Sequence, residues 1–256
     1  MSLIYSISFG QAYFANGDAR AIGGQCYELT ANRDWQLGSV WYANKLSLNK
    51  DFDLEFYLNF GSTDADGADG IVFVMQTVGN KAIGLAGGGI GFEGFSPSLG
   101  VEFDTWQNVN FGDPVYDHIA VFKNGNINHN GATEISPQVA ISTTSGNVED
   151  VKDHLVRVRW LAKAQLFQVF VDCELRQNVS IDLIDDIFNG TEEVFWGFTS
   201  ATGGSSNRHI ACLRDDILVA DTVPICKGES TLLNARESED NTYRWYPSLG
   251  LSDTTI

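Results

Sequence analysis

The 256-residue chain is 43% hydrophobic and 12% aromatic, enough for one sizeable core, and its formal charges sum to −17. A single all-β domain of this length is ordinary, so length does not demand two domains. The carboxylate excess excludes nucleic-acid binding that runs on phosphate neutralisation, and no stretch approaches the roughly 18–20 apolar residues that span a bilayer.

Such an acidic balance suits a soluble extracellular protein or one that collects divalent cations, although solubility alone accounts for most of the acids. No signal peptide opens the chain, as in a mature or recloned product. Neither nucleic acid nor membrane insertion is expected.

In chain order, residues 4–9, 25–30 and 38–48 read as strands. Phe52, Leu54, Phe56, Leu58 and Phe60 then alternate with Asp53, Glu55, Tyr57 and Asn59, the period of a strand with one buried face. Further strands are expected at 70–76, 99–104 and 118–122. Val156, Val158 and Trp160 alternate with Arg157 and Arg159, and Phe167, Val169 and Val171 follow after a short turn, which predicts a hairpin. Residues 194–200 and 210–219 complete the strands, and only 181–188 looks helical. Many strands, turn-rich joints and almost no helix predict an all-β sandwich or barrel. Trp35, Trp41, Trp160 and Trp196 read as core residues, and His129, His154 and His209 as surface or capping residues.

Composition shifts near Val223. From Pro224 on, the chain suggests two strands of a new unit, and about thirty residues cannot bury a core of their own. Residues 1–222 therefore read as the main domain and 223–256 as the truncated start of a following β-domain, or as an extension tethered through Cys226. Cys26, Cys173, Cys212 and Cys226 lie far apart with no zinc-site spacing. They fit two disulfides and a secreted or cell-surface location, with three pairings open and free buried thiols as the alternative.

The informative segment runs from Val101 to His118. Glu102 and Asp104 stand two apart on a strand, so both carboxylates leave one face, roughly 6.5–7 Å apart along the chain. Carboxylates so placed repel unless a proton or cation sits between them. Asn108 and Asp113 follow in a loop, and His118 heads the next strand. Oxygen donors of this kind suit Ca²⁺, and carboxylates with an imidazole suit a first-row transition metal.

Glu-Phe-Asp-Thr-aromatic-x-Asn followed by Asp-Pro and His resembles the metal-binding run of the L-type (legume-type) lectins, whose fold is the concanavalin A-like antiparallel β-sandwich, or jelly roll. The resemblance covers about residues 4–222 and is nearer to bacterial L-type lectin-like modules of secreted surface proteins than to seed lectins. The Pro224–Ile256 tail resembles the immunoglobulin-like repeats that follow such modules. It implies calcium on Asp104, the Trp106 carbonyl, Asn108 and Asp113. A second ion, Mn²⁺ or another transition metal, is implied on Glu102, Asp104, Asp113 and His118, unless His118 merely hydrogen-bonds Glu102. Gly67-Ala68-Asp69-Gly70 resembles the strand start whose Asp accepts two sugar hydroxyls after a cis peptide, here Ala68–Asp69. Gly87-Gly88-Gly89 resembles the loop that offers a backbone N–H to the sugar, from Gly88 or Gly89. Thr202-Gly203-Gly204 resembles the loop that tunes sugar choice, and the same scheme expects Trp106 to stack on the sugar, unless it is a core aromatic, and Asn108 to donate its amide.

The implied function is calcium-dependent binding of glycans or polysaccharides, without catalysis. The family habit of dimerising through the back sheet implies a homodimer, though no residue singles it out. A glucanase of the same fold is the enzyme alternative. Such enzymes carry Glu-x-Asp-x-x-Glu, and here Gln107 stands where the second glutamate would be needed. A non-catalytic adhesion or structural module that binds protein or itself is the third reading.

Overall fold

The computed structural model describes residues 13–213. The strand expected at 4–9, the 223–256 segment and the proposed domain division lie outside the described residues.

Fifteen strands are present among them: β1 (Tyr13–Gly17), β2 (Arg20–Gly23), β3 (Cys26–Thr30), β4 (Leu37–Tyr42) and β5 (Leu46–Ser47). They continue with β6 (Phe52–Asn59), β7 (Gly70–Gln76), β8 (Ser98–Asp104), β9 (His118–Lys123) and β10 (Glu134–Ala140). The last are β11 (His154–Leu161), β12 (Leu166–Val171), β13 (Glu174–Ser180), β14 (Glu193–Ala201) and β15 (His209–Leu213). They form two antiparallel sheets. One runs β1-β4-β14-β7-β8-β9-β10 with β5 beside β14, the other β13-β12-β11-β6-β15-β3-β2.

The period-2 pattern explains the packing between the sheets. Phe56 of β6 meets Phe73 of β7 and Phe198 of β14 with ring centroids 5.7 and 4.7 Å apart. Ile71, Val101, Phe103, Ile119 and Val121 join this inner core. Aromatic contacts add to the burial of apolar area, which is the main stabilising term.

A second core covers the opposite face of the larger sheet. Val72, Val74, Ala120 and Phe122 point outward from β7 and β9 and are covered by Ile90, Phe92 and Phe95 of the loop before β8. Consequently β7 and β8 are buried on both faces along their whole length. Polar side chains that leave β8 on this outer face, Glu102 and Asp104, are therefore held under loops and away from bulk water.

The hairpin of β11 and β12 forms as expected, closed by a short 3₁₀ turn over Ala162–Ala164. The expected helix is smaller than predicted: a single π-helical turn, Leu183–Ile187, capped by the Asp182 side chain accepting from the Asp185 amide. Leu183 and Ile187 anchor it in the inner core. Cys26 and Cys212, opposite each other on β3 and β15, form a disulfide. Cys173 is disulfide-bonded too, and no free thiol is found among the described residues.

Candidate metal and ligand site

Strand register assembles the acidic site. Asp104 at the end of β8 lies directly opposite Gly70 on one side and His118 on the other. Glu102, two residues earlier on the same face, lies opposite Val72 and Ala120. The loop after β8 then folds back on these carboxylates. The Trp106 amide donates to Asp104 Oδ1 at 2.6 Å, and the Asn108 amide donates to Asp113 Oδ2 at 2.5 Å. Both are short, charge-assisted bonds that hold the loop closed. As a result Asp104, Asp113 and His118 bring donor atoms within 4.8 Å of one another, and so do Glu102, His118 and His129.

The electrostatics of this cluster disfavour its charged carboxylates unless they share a proton or a cation. Burial pushes the Glu102 carboxyl up to about 8 and that of Asp113 up to about 6. Asp104 is raised well above the usual carboxylate range by burial and by the neighbouring Glu102 and Asp113. Burial lowers His118 and so favours its neutral, ligating form. Among the described residues, the ion-pair partners of Glu102 and Asp113 are histidines, not Lys or Arg.

Unpaired atoms point the same way. Five buried side-chain polar atoms lack a hydrogen-bond partner among the described residues, and three belong here: Asp69 Oδ2, Glu102 Oε2 and Asn108 Oδ1. Leaving a buried polar group unpaired costs about 1–3 kcal/mol, so three together set this cluster apart from the rest of the described residues. The donor set fits the implied ions. Asp104, Asn108 and Asp113 offer hard oxygens for calcium, and Glu102, Asp104, Asp113 and His118 a mixed oxygen and imidazole set.

Asp69 sits beside this cluster. The Ala68–Asp69 peptide is cis. The Asp69 amide donates to the Ala201 carbonyl at the end of β14, and its carbonyl accepts from the Thr105 amide, both at 3.0 Å. Burial raises the Asp69 carboxyl to about 7. Gly70 permits this arrangement, since its φ is +143° and a Cβ there would lie 2.2 Å from the Phe103 carbonyl oxygen.

Glycine loops complete the rim. A Cβ on Gly88 would stand 2.8 Å from Asn108 Oδ1, and one on Gly203 would stand 3.6 Å from Asp69 Oδ2. The unpaired oxygens of Asn108 and Asp69 thus open toward Gly88 and Gly203 respectively. Gly87 links the two loops by donating to the Thr202 carbonyl. Gly89 is buried behind Gly88, against Glu93, while Gly204 is exposed.

A family model described as the legume lectin beta-barrel domain matches residues 5–215. The chain belongs to this family. Solved structures similar to this lectin include the basic winged bean lectin with Tn-antigen, at 19% identity and a TM-score of 0.59, covering 79% of this chain and 93% of that one. The Bauhinia forficata lectin in complex with GalNAc is 19% identical with a TM-score of 0.65, covering 80% and 91%. Lectin I-B4 of Griffonia simplicifolia, in a metal-free form, is 22% identical with a TM-score of 0.62, covering 82% and 93%.

Several expectations need correction. His129 is no surface residue: its side chain is 2% exposed and its Nε2 lies 3.0 Å from His118 Nε2. It reaches the site because its loop folds back, with the His129 amide donating to the Phe111 carbonyl. Nothing in the spacing from His118 flags this. His209 and His154 are also buried. His209 is paired at Nδ1 with the Thr30 hydroxyl, and burial pushes it down to about 3. His118 does not hydrogen-bond Glu102, since 3.6 Å is too long. Trp41, Trp160 and Trp196 are core, but Trp35 is 71% exposed, with a φ of +59°. Its amide donates to the Gly203 carbonyl, so it borders the Thr202–Gly204 loop. Thr202 is buried, with its hydroxyl donating to the Arg33 carbonyl and accepting from the Gln36 amide, which makes it an anchor beneath that loop. Trp106 is half-buried and belongs to neither core.

Proposed function

We propose that this lectin domain binds glycans in a calcium-dependent manner, at the surface formed by Asp69, Gly88, Trp106, Asn108, Gly203 and Gly204. The observation that carries the reading is the unpaired, buried Asp69 Oδ2, which opens toward the side-chain-free backbone at Gly203. A sugar presents a rim of hydroxyls and an apolar C–H face. Asp69 accepts from hydroxyls, and bonds to a charged acceptor are about twice as strong as neutral ones. The Asn108 amide and the Gly88 backbone donate. The half-buried Trp106 ring offers a platform for the C–H face.

Calcium would be held by Asp104, the Trp106 carbonyl, Asn108 and Asp113. The ion supplies positive charge to a nest of buried carboxylates and orders the loop that carries Trp106 and Asn108. Support for a glycan ligand also comes from the similar structures that carry Tn-antigen and GalNAc. The Cys26–Cys212 disulfide supports a secreted or cell-surface setting.

Hydrolysis finds no support in the same loop. Gln107, where the glucanase pattern has its second glutamate, donates its amide to the Asp113 carbonyl at 3.2 Å, and an amide is no general acid. The test is a glycan array read with calcium and with chelator. Signal that appears only with calcium is the expected result, and no glycan signal in either condition would overturn the proposal.

A further inference from the structure

We infer that His129 joins Glu102 and His118 as a protein ligand of the second metal site, which makes it a two-imidazole centre suited to zinc or a neighbouring late first-row ion in preference to manganese. The inference rests on the proposed metal reading of this loop and deepens it.

Three observations converge on His129. Its Nε2 lies 3.0 Å from His118 Nε2, and 3.6 Å from both Glu102 Oε2 and Asp113 Oδ1. Its other nitrogen, Nδ1, lies 2.7 Å from Glu134 Oε1. Glu102 is 1% exposed, and its Oε2, the atom nearest both imidazoles, has no hydrogen-bond partner among the described residues.

Tautomers follow from these partners. A carboxylate accepts only, so the Glu134 contact places the His129 proton on Nδ1 and leaves Nε2 as a bare lone pair. His118 is hydrogen-bonded to the Tyr116 backbone, and with Nε2 turned to His129, that bond is assigned to Nδ1–H. Two imidazole lone pairs and a carboxylate oxygen then face one another inside the protein. Such a set is repulsive alone and favourable around a cation.

The spacing suits one ion. Two nitrogens bound at about 2.0–2.1 Å to a common metal, at angles of about 90–110°, stand about 2.8–3.4 Å apart. The observed separation of 3.0 Å falls inside that range. Glu134 acts as the positioning residue. A carboxylate behind a ligating histidine fixes its ring and raises its basicity, and losing such a partner costs about 10–100-fold in metal affinity. Adding a second imidazole to an oxygen-rich site favours the borderline ions over Mn²⁺, which prefers carboxylate, carbonyl and water.

The experiment is competitive equilibrium dialysis of the chelated full chain against Zn²⁺, Mn²⁺ and Ca²⁺ separately, with Co²⁺ visible spectra as a second readout. Wild type, His129→Asn and Glu134→Gln are compared, with circular dichroism of the metal-free proteins as the folding control. The expected result is a zinc affinity at least about tenfold lower in His129→Asn, a smaller loss in Glu134→Gln, and a shift of the cobalt bands in both. Manganese affinity should change much less. If zinc affinity and the cobalt spectrum are the same in all three proteins, His129 is not a ligand and the inference is overturned. If His129→Asn does not fold, Glu134→Gln decides by the same criterion. Calcium is read in its own arm, so its failure to bind would strike the proposed function and leave the histidine result to stand by itself.

Discussion

Replacing Asp69 by Asn removes a charge and almost no volume, so the variant separates the cost of this carboxylate from its use. Asp69 is 3% exposed, and burial raises its carboxyl from 3.8 to about 7. Well below 3.8 the group is protonated in both folded and unfolded chains and favours neither. As pH rises, the unfolded chain loses its proton first, so metal-free stability declines through the window from about 4 to 7 and then levels off. Each tenfold difference in proton affinity between the two chains is worth about 1.36 kcal/mol, so the decline attributable to Asp69 is about 4 kcal/mol at most. Even half of that raises the Tm of the Asn variant by about 4–8 °C at pH 8 in chelator, since a domain of this size gains about 2–4 °C per kcal/mol. Glycan affinity should move the other way. Each lost charge-assisted bond is worth about 1.5–3 kcal/mol, which is roughly ten- to a hundredfold in Kd. Thermal melts from pH 4 to 8 with chelator, beside glycan titrations with calcium, test both signs. An Asn variant whose Tm falls with pH as steeply as wild type, or which binds glycan equally well, would show that this account of Asp69 is wrong.

Other perturbations have equally definite outcomes. Chelation should lower Tm and abolish glycan signal together, and calcium at about 100 times its Kd should restore about 2.7 kcal/mol of stability; differential scanning calorimetry with added Ca²⁺ measures it. Gly88→Ala places a Cβ 2.8 Å from Asn108 Oδ1 without requiring a left-handed backbone, so a glycan titration with calcium should show at least a tenfold weaker Kd, and a thermal melt in chelator an almost unchanged Tm. Trp35→Ala should leave stability within about 0.5 kcal/mol, as for other exposed side chains, and should weaken longer glycans more than monosaccharides in a comparative titration. His154 is raised by Asp172 and Asp150 against the opposing effect of burial, so its contribution is present below its unfolded pKa and lost as pH rises through the folded one. Asp172→Asn should therefore destabilise more at pH 5.5 than at pH 8.5 in denaturant titrations.

What is legible in the residue pattern depends on whether a signal is local. The strands that alternate cleanly, such as β6 and β11, lie inside the sheets, where one face is covered by the opposite sheet and every second residue must be apolar. Four strands, β1, β2, β10 and β13, escape the pattern. Among the described residues all four stand at the ends of the two sheet orders. An edge strand has a neighbour on one side only, so its inner face is less covered: β2 and β10 have no buried residue, and β10 even contains Pro137, tolerated because an edge needs no second ladder. Trp35 reads as core on its residue type alone, and only its loop conformation turns it outward.

The site divides in the same way. Glu102, Asp104, Asn108, Asp113 and His118 fall within seventeen residues, so strand period and one loop suffice to suggest that they meet. That much, together with the all-β class, is written in the order of the residues. His129 and Asp69 come to the cluster from other segments, one through a folded-back loop and one across the β7–β8 pair. Their distances to Glu102 and Asn108 are set by register and by loops packed on the outer core. No residue spacing encodes that, because a contact between distant segments exists only once the sheets have closed and water has been excluded between them. The second imidazole beside Glu102 and His118 is a product of that closure.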